Sequence, residues 1–404
     1  MAKKKKGTAP EIKEDFLAKE AAEEAQQAPE YTLDIPEDEI WTYQIEGLQA
    51  PRVGVKPQNV KIKKIIFVVV LLIAISASIF MSVRAVHNDE YKFKELEDGT
   101  YELVKYTNPG SAKDIVIDYY VDKDGNKDKT KPVTVISEYA FNCDEVVNSI
   151  TFGKDVRAID GKSIYSCWWI TNVYVDEANP YFCDLDGVLY TKDLTEIIFY
   201  PNDHDKYRRV QEGYAEYDEN GEYHSLLQED NGDEMYELWG TTERYDEAFF
   251  EEYNQKVRTY VLPSSVTKIG QLAFAYTNVR DIYMPQGVTE IGSMAFFKNE
   301  LANIYSYTTD AAITDTSYNA VAQFASQYNS LPEGLEKLGS DVFTYDRNIS
   351  YMYIPSSVTE IGHHCFWDAI GKDNGNLFGI TVMNVARSEE EFKDVKTGDQ
   401  WRPE

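Results

Sequence analysis

The sequence predicts a β-rich solenoid of short strands and turns, carried on one transmembrane helix behind a disordered N-terminal tail. Three observations lead there: a motif recurring at a fixed period, a 19-residue uncharged segment, and a change of composition on either side of that segment.

The motif is a short apolar strand, a proline, then V-x-x-I-G-x-x-A-F. Val261–Phe274 reads VLPSSVTKIGQLAF and Met284–Phe296 reads MPQGVTEIGSMAF. Leu331–Phe343 (LPEGLEKLGSDVF) and Ile354–Phe366 (IPSSVTEIGHHCF) are variants of the same phrase. The prolines Pro263, Pro285, Pro332 and Pro355 are 22, 47 and 23 residues apart, so the middle step is two periods or one period plus an insertion. A fixed period in the low twenties means stacked units that bury their apolar faces only against neighbours, which argues against most compact enzyme folds. Degenerate units begin at Val133: Val135–Cys143 keeps the A-F pair, and Ile150–Ile164 keeps the V-x-x-I spacing through Val156 and Ile159.

Ile65 to Val83 is free of charge; as a helix it spans about 28 Å, close to a hydrocarbon core of about 30 Å. It lies too far into the chain and is too long for a cleaved signal peptide. Five basic residues precede it (Arg52, Lys56, Lys61, Lys63, Lys64) and three follow (Arg84, Lys92, Lys94), which places the N-terminus in the cytoplasm and the repeats outside it. Residues 1–64 carry 11 basic and 12 acidic side chains, whereas the rest carries 29 and 57, a net of −28. Such acidity is unsuited to a phosphate backbone and argues against nucleic acid as a partner.

The expected organisation is a disordered cytoplasmic tail (1–60), a transmembrane signal-anchor (61–86) and an extracytoplasmic domain (87–404). That domain divides into an N-terminal cap (91–132), first repeats (133–201), an acidic, Tyr-rich insertion (202–256), later repeats (257–384) and a C-terminal cap (385–404). Tight turns are expected at Asp98-Gly99, Asp186-Gly187 and Asn220-Gly221, and a helix-competent stretch at 242–256. A smaller insertion, about Ser306 to Ser330, fills the long step. In the tail, the apolar cluster Ile40, Trp41, Tyr43 and Ile45 is the candidate docking segment for a cytoplasmic protein.

With PSSVTKIGQLAF, PQGVTEIGSMAF and PSSVTEIGHHCF in view, residues 91–404 resemble the BspA-type leucine-rich repeat family. Asp98–Tyr106 (DGTYELVKY), the N-P…D-G-V-L-Y of Asn179–Tyr190 and Glu389–Trp401 resemble that family's borders. The resemblance implies a leucine-rich-repeat solenoid on a bacterial surface or secreted protein, linked to adhesion and protein binding. The long insertion and the signal-anchor depart from the family pattern.

Aligning strands on their inward pairs (Ile150/Phe152, Val173/Val175, Tyr260/Leu262, Ile282/Met284, Ile304/Ser306, Met352/Ile354, Ile380/Val382) leaves one residue facing outward in each. These are Thr151, Tyr174, Val261, Tyr283, Tyr305, Tyr353 and Thr381. Tyr174, Tyr283, Tyr305 and Tyr353 are the candidate ligand surface, since tyrosine supplies large contact area at low entropic cost; a cross-strand ladder that only stiffens the sheet is the competing reading. Cys143 and Cys167, one period apart, are two buried thiols or a bridge between rungs. His204, between Asp203 and Asp205, is the candidate for a cation site, without a metal-binding motif around it. No H-E-x-x-H, G-x-S-x-G or phosphate-binding glycine loop occurs, so neither an enzyme nor a cofactor or metal is expected. The expected function is a surface-displayed binding or adhesion protein for a protein or glycan; the alternative is a single-pass subunit or sensor of a membrane complex docking through residues 34–48.

Overall fold

The computed structural model describes residues 90–107, 113–141, 147–225, 247–326, 329–373, 376–380, 382–386 and 388–402. All belong to one compact unit, Ala77–Glu404. Ile65–Val83, the 34–48 segment and Cys143 lie outside the described residues. Among the described residues, no helix is long and apolar enough to cross a membrane.

Each repeat adds one rung to three parallel ladders. The first is the apolar strand before the proline. Lys113–Ile117, Val147–Phe152 and Asn172–Val175 pair in parallel, as do Thr259–Val261, Asp281–Pro285 and Asn303–Tyr307. Tyr351–Ile354 pairs with Val382–Val385. The second ladder is the two-residue strand at the end of V-x-x-I: Lys268–Ile269, Glu290–Ile291, Lys337–Leu338, Glu360–Ile361 and Lys396–Thr397, each parallel to the next. The third is the A-F turn, where the backbone N–H groups of Leu272, Phe274 and Tyr276 donate to the carbonyls of Ser293, Ala295 and Phe297 on the following rung.

The motif letters follow from this stacking. Ile269, Ile291 and Phe274 are fully buried, as are Leu338, Ile361, Phe296, Phe343 and Phe366, whereas Ile159 of the degenerate unit is only partly buried. The phenyl rings of Phe274, Phe296, Phe343 and Phe366 form a spine with centroids 5.2, 5.4 and 5.3 Å apart and nearly parallel planes. Burying one such ring is worth about 1.5–3 kcal/mol. The motif glycine is required by close approach: a Cβ on Gly292 would sit 2.7 Å from the backbone nitrogen of Gln271 on the rung before. Around each A-F pair the chain enters the left-handed region twice without glycine, at Leu272 and Tyr276, Met294 and Lys298, Asp341 and Tyr345, His364 and Asp368. Such residues cost on the order of 1 kcal/mol each, and the inter-rung hydrogen bonds and ring stacking hold them there.

The long step between Pro285 and Pro332 is one period plus an insertion. Tyr307 takes the place opposite Pro285, and Glu290–Ile291 pairs directly with Lys337–Leu338, so no rung is missing from the second ladder. The last rung is registered differently from the pattern read in the sequence: Tyr353 lies opposite Asn384, and Met352 and Ile354 oppose Met383 and Val385. Met383 and Val385 continue the paired strand's inward pair, partly buried against the core, while Ile380 of the expected Ile380/Val382 pair is buried in that core just before the strand.

The two runs of repeats meet at an antiparallel meander, Phe182–Leu185, Val188–Thr191 and Glu196–Phe199. Its expected turn is present, with Asp186 and Gly187 both left-handed. Its faces feed separate cores: Leu189, Ile198 and Phe199 join the N-terminal cluster, whereas Val188, Tyr190 and Ile197 join the C-terminal one. The expected hairpin through Asp98-Gly99 joins Tyr91–Glu95 to Tyr101–Tyr106.

Three residues past Phe274, Phe296 and Phe343 a short polar column (Thr277, Asn299, Asp346) runs inside the stack, and Ala369 ends it after Phe366. The Asn299 amide donates to Thr277 Oγ1 at 2.7 Å and to the Phe274 carbonyl at 2.8 Å. The same position in the next rung is Asp346, which is fully buried. Burial pushes its carboxyl well above the usual carboxylate range, the backbone N–H of Asn348 opposing and the charge of Glu300 adding. The folded chain therefore keeps a proton that the unfolded chain releases, and stability falls as pH rises above the ordinary carboxyl pKa of about 3.9. Asp346→Asn is expected to raise stability at neutral pH by about 1–3 kcal/mol. The gain should shrink toward zero near pH 4, and chemical denaturation of both chains across this range checks it.

Candidate functional site

The strand-face tyrosines do not form a continuous exposed stripe. Tyr283 stacks on Tyr305, centroids 4.8 Å apart, in the register expected from the alternation. Tyr283 is nevertheless only 6% exposed, because the 306–330 insertion folds back over it. Tyr318 from the insertion meets its ring edge-on at 5.7 Å, and Val321 and Tyr307 close a small apolar cluster with Val261 and Tyr283. The Tyr307 hydroxyl donates to the Leu262 carbonyl at 2.6 Å, fixing the insertion's first residues. Tyr353 is half-buried, and Tyr174 is 40% exposed.

Tyr174 stands at an open aromatic corner. Its register neighbours are Thr151 and, beyond it, the exposed Val116. Burial raises the Tyr174 hydroxyl above the usual tyrosine range, with the charges of Asp184, Asp114 and Asp186 and the Tyr217 hydroxyl adding. Asp184 is also raised by burial, although its Oδ1 accepts the Val175 N–H at 2.7 Å. Asp186 is raised in the same way, opposed by Arg208 and by hydrogen bonds from Thr316 and Tyr207. Tyr174, Tyr207 and the partly buried carboxylates of Asp184 and Asp186 are thus electrostatically coupled, with the buried Arg208 opposing the rise at Asp186.

The acidic insertion supplies one wall of that corner. It begins with a helix, His204–Gln211, absent from the sequence reading. The ion pair of Asp205 and Arg209 one turn apart (2.9 Å, both buried) is the signal that could have revealed it. The hairpin of Ala215–Tyr217 and Tyr223–Ser225 follows, turning at the expected Asn220-Gly221. After the undescribed residues 226–246, the helix-competent stretch forms Glu247–Tyr253. Arg209 ties the ends together, its Nε donating to the buried Tyr253 hydroxyl at 2.8 Å. His204 is built into this joint: it is fully buried with Nδ1 2.7 Å from the Thr171 carbonyl. Burial lowers its pKa to about 3, the Thr171 contact opposing and Arg208 adding. The ring is neutral and donates to the carbonyl, which does not suit the cation site considered for it. Asp218, Glu222 and His224 bring ligand atoms within 4.8 Å of one another at the hairpin. Asp218 Oδ1 already accepts the backbone N–H groups of Asn220 and Glu222, each at 2.8 Å, as a turn requires.

A second aromatic row, missed in the sequence, lies on the A-F turns. Trp168, Tyr276, Phe297, Tyr345 and Trp367 meet edge to face with centroids 4.4, 5.5, 5.7 and 5.3 Å apart. Their positions alternate between one and two residues past the A-F pair, so no single column of the aligned repeats displays them.

The BspA type leucine rich repeat region matches in six copies across residues 127–202 and 242–371, just over half of the chain. This chain belongs to the BspA-type leucine-rich repeat family. No curated protein matches it. Among solved structures, the pneumococcal vaccine antigen PcpA is similar at 12% identity and a TM-score of 0.36, with 76% of this chain and 83% of that one covered. A leucine rich repeat protein of T. pallidum follows at 16% identity and a TM-score of 0.31, covering 69% and 86%. One from Eubacterium ventriosum has 12% identity and a TM-score of 0.28, covering 75% and 94%. At such scores the assignment rests on the repeats themselves. The 242–371 match takes in the smaller insertion, and the gap between the two matched segments falls within the acidic one.

The buried Asp205–Arg209 pair makes a direct prediction for the insertion. Asp205→Ala removes the buried carboxylate that pairs with Arg209 one turn away, and breaking such a pair should cost about 3–5 kcal/mol. Hydrogen exchange should accelerate first in residues 247–258; unchanged exchange there contradicts the assignment of this pair as the tie.

Proposed function

We propose that this BspA-type repeat protein is a membrane-anchored, surface-displayed binding protein, recognising a protein or glycan through the Tyr174 corner. In this reading Ile65–Val83 spans the plasma membrane once, the N-terminus is cytoplasmic, and the solenoid lies outside. The observation that carries it is the open corner itself. Val116, Thr151 and Tyr174 are presented by consecutive rungs, and Tyr217 and Tyr207 reach in from the insertion. Rigid rungs on one side and an inserted wall on the other give pre-organised aromatic contacts, which lowers the ordering cost of binding. Of the four tyrosines considered from the sequence, Tyr174 takes the central role, Tyr353 a peripheral one, and Tyr283 and Tyr305 a structural one beneath their cover. The reading assigns no catalytic step. The tail cluster Ile40, Trp41, Tyr43 and Ile45 would serve a cytoplasmic partner, as in the single-pass subunit reading.

Two measurements on cells displaying the full chain test this. A C-terminal epitope should be reached by antibody on intact cells and an N-terminal one only after permeabilisation; the reverse pattern contradicts the topology. Tyr174→Ser combined with Tyr217→Ser should lower adherence to immobilised glycoproteins by about tenfold or more, as expected of hot-spot aromatics, with the thermal midpoint little changed. Adherence that survives both substitutions sinks the corner as the ligand surface.

A further inference from the structure

The row on the A-F turns is a second surface, separate from the Tyr174 corner. Tyr276, Phe297, Tyr345 and Trp367 are half-buried, and Trp168 is exposed at the end of the row, beside the more exposed Trp169. Because neighbouring rings meet edge to face, with interplanar angles of 85°, 69°, 81° and 68°, successive rings alternate in the aspect they turn outward.

The charges beside the row are largely satisfied within the chain. The ammonium of Lys298 lies over three rings, 5.8 Å from Tyr276, 5.6 Å from Phe297 and 5.1 Å from Tyr345. Arg347 is paired with Asp368. The Asn348 amide donates to Glu300 at 2.7 Å, and His364 Nδ1 is 3.7 Å from Asp341. A nearly neutral aromatic track therefore runs along an otherwise acidic domain.

We infer that this track binds a neutral, linear glycan, its sugar rings running along the file and lying on those aromatic rings that turn a face outward. The carbon-bound hydrogens of a hexose face pack on an aromatic ring, while its hydroxyls reach the flanking amide, carboxylate and ammonium groups. One aromatic ring per repeat matches a polymer that is itself one ring per unit. An extended peptide matches poorly, since its same-side side chains recur at about 6.6–6.8 Å, against ring spacings of 4.4–5.7 Å. An amphipathic helix presents an apolar face about 100° wide or more, broader than a single file of rings. A second copy of the chain would bring two strongly acidic domains together, and a polyanion would meet the same field.

The test uses the full chain in detergent, titrated with cellohexaose and with the N-acetylglucosamine hexasaccharide while tryptophan emission is recorded, because Trp168 and Trp367 sit in the track. At least one hexasaccharide should bind and change the emission, and glucose and N-acetylglucosamine should bind at least tenfold more weakly. Tyr345→Ala should weaken binding at least tenfold. So should Trp168→Ala, whose exposed ring touches the row only through Tyr276, so that a folding defect in the first variant leaves the second to decide. Tyr181→Ser, at an exposed ring that belongs to neither surface, should leave hexasaccharide affinity unchanged. A folded wild-type chain that binds neither hexasaccharide overturns the proposal, as does affinity indifferent to both track substitutions, or affinity lost in the Tyr181 variant. Binding of an amphipathic helical peptide, or self-association, that the track substitutions abolish also overturns it. None of these outcomes bears on adherence through the Tyr174 corner, which is read on displaying cells.

Discussion

Backbone contact between successive rungs is the constraint on which the rest depends. At the motif glycine the chain comes so close to the rung before it that a methyl group has no room. One residue earlier and four later, the aliphatic ladder and the phenylalanine spine stack rung on rung. The left-handed residues around each A-F pair are tolerated because each turn hydrogen-bonds to its neighbour. None of these features is stable in one unit alone; together they make a stack whose energy is mostly nearest-neighbour. The outward positions are thereby freed from the inter-rung core.

What the chain does with that freedom differs from face to face. On the strand face of the later repeats it is spent internally: the 306–330 insertion lays Tyr318 and Val321 over Tyr283 and seals the sheet. On the strand face of the first repeats the larger insertion does the opposite, standing beside Tyr174 and leaving it open. The buried Asp205–Arg209–Tyr253 tie and the neutral His204 hold that wall to the rung, so the wall's position is determined by the repeats, not by its own acidic composition.

Much of this was legible in the sequence, for physical reasons. The inward letters must recur because each contacts its own copies, so the period, the alternation from Ile150 to Ile354 and the turns at Asp186-Gly187 and Asn220-Gly221 could be read directly. The burial of Tyr283 could not. An outward position is indistinguishable from a covered one until the segment that covers it is placed, and Tyr318 and Val321 belong to a stretch without periodicity. The register of the last rung was hidden because Met383 and Val385 alternate as well as Ile380 and Val382 do. The turn-face row escaped because its rings alternate between two positions after A-F. His204 resembled a cation ligand because flanking carboxylates are visible in sequence, whereas its buried contact with Thr171 is not.

The solenoid covers one aromatic face with its own insertion and leaves the other faces open. Hydroxyl-radical footprinting of the intact chain, resolved by residue, measures this directly. Tyr174, Trp169 and Tyr139 should be modified rapidly, while Tyr283 and Tyr307 stay protected at the level of the Phe296 and Phe343 spine. Equal modification of Tyr174 and Tyr283 would contradict it.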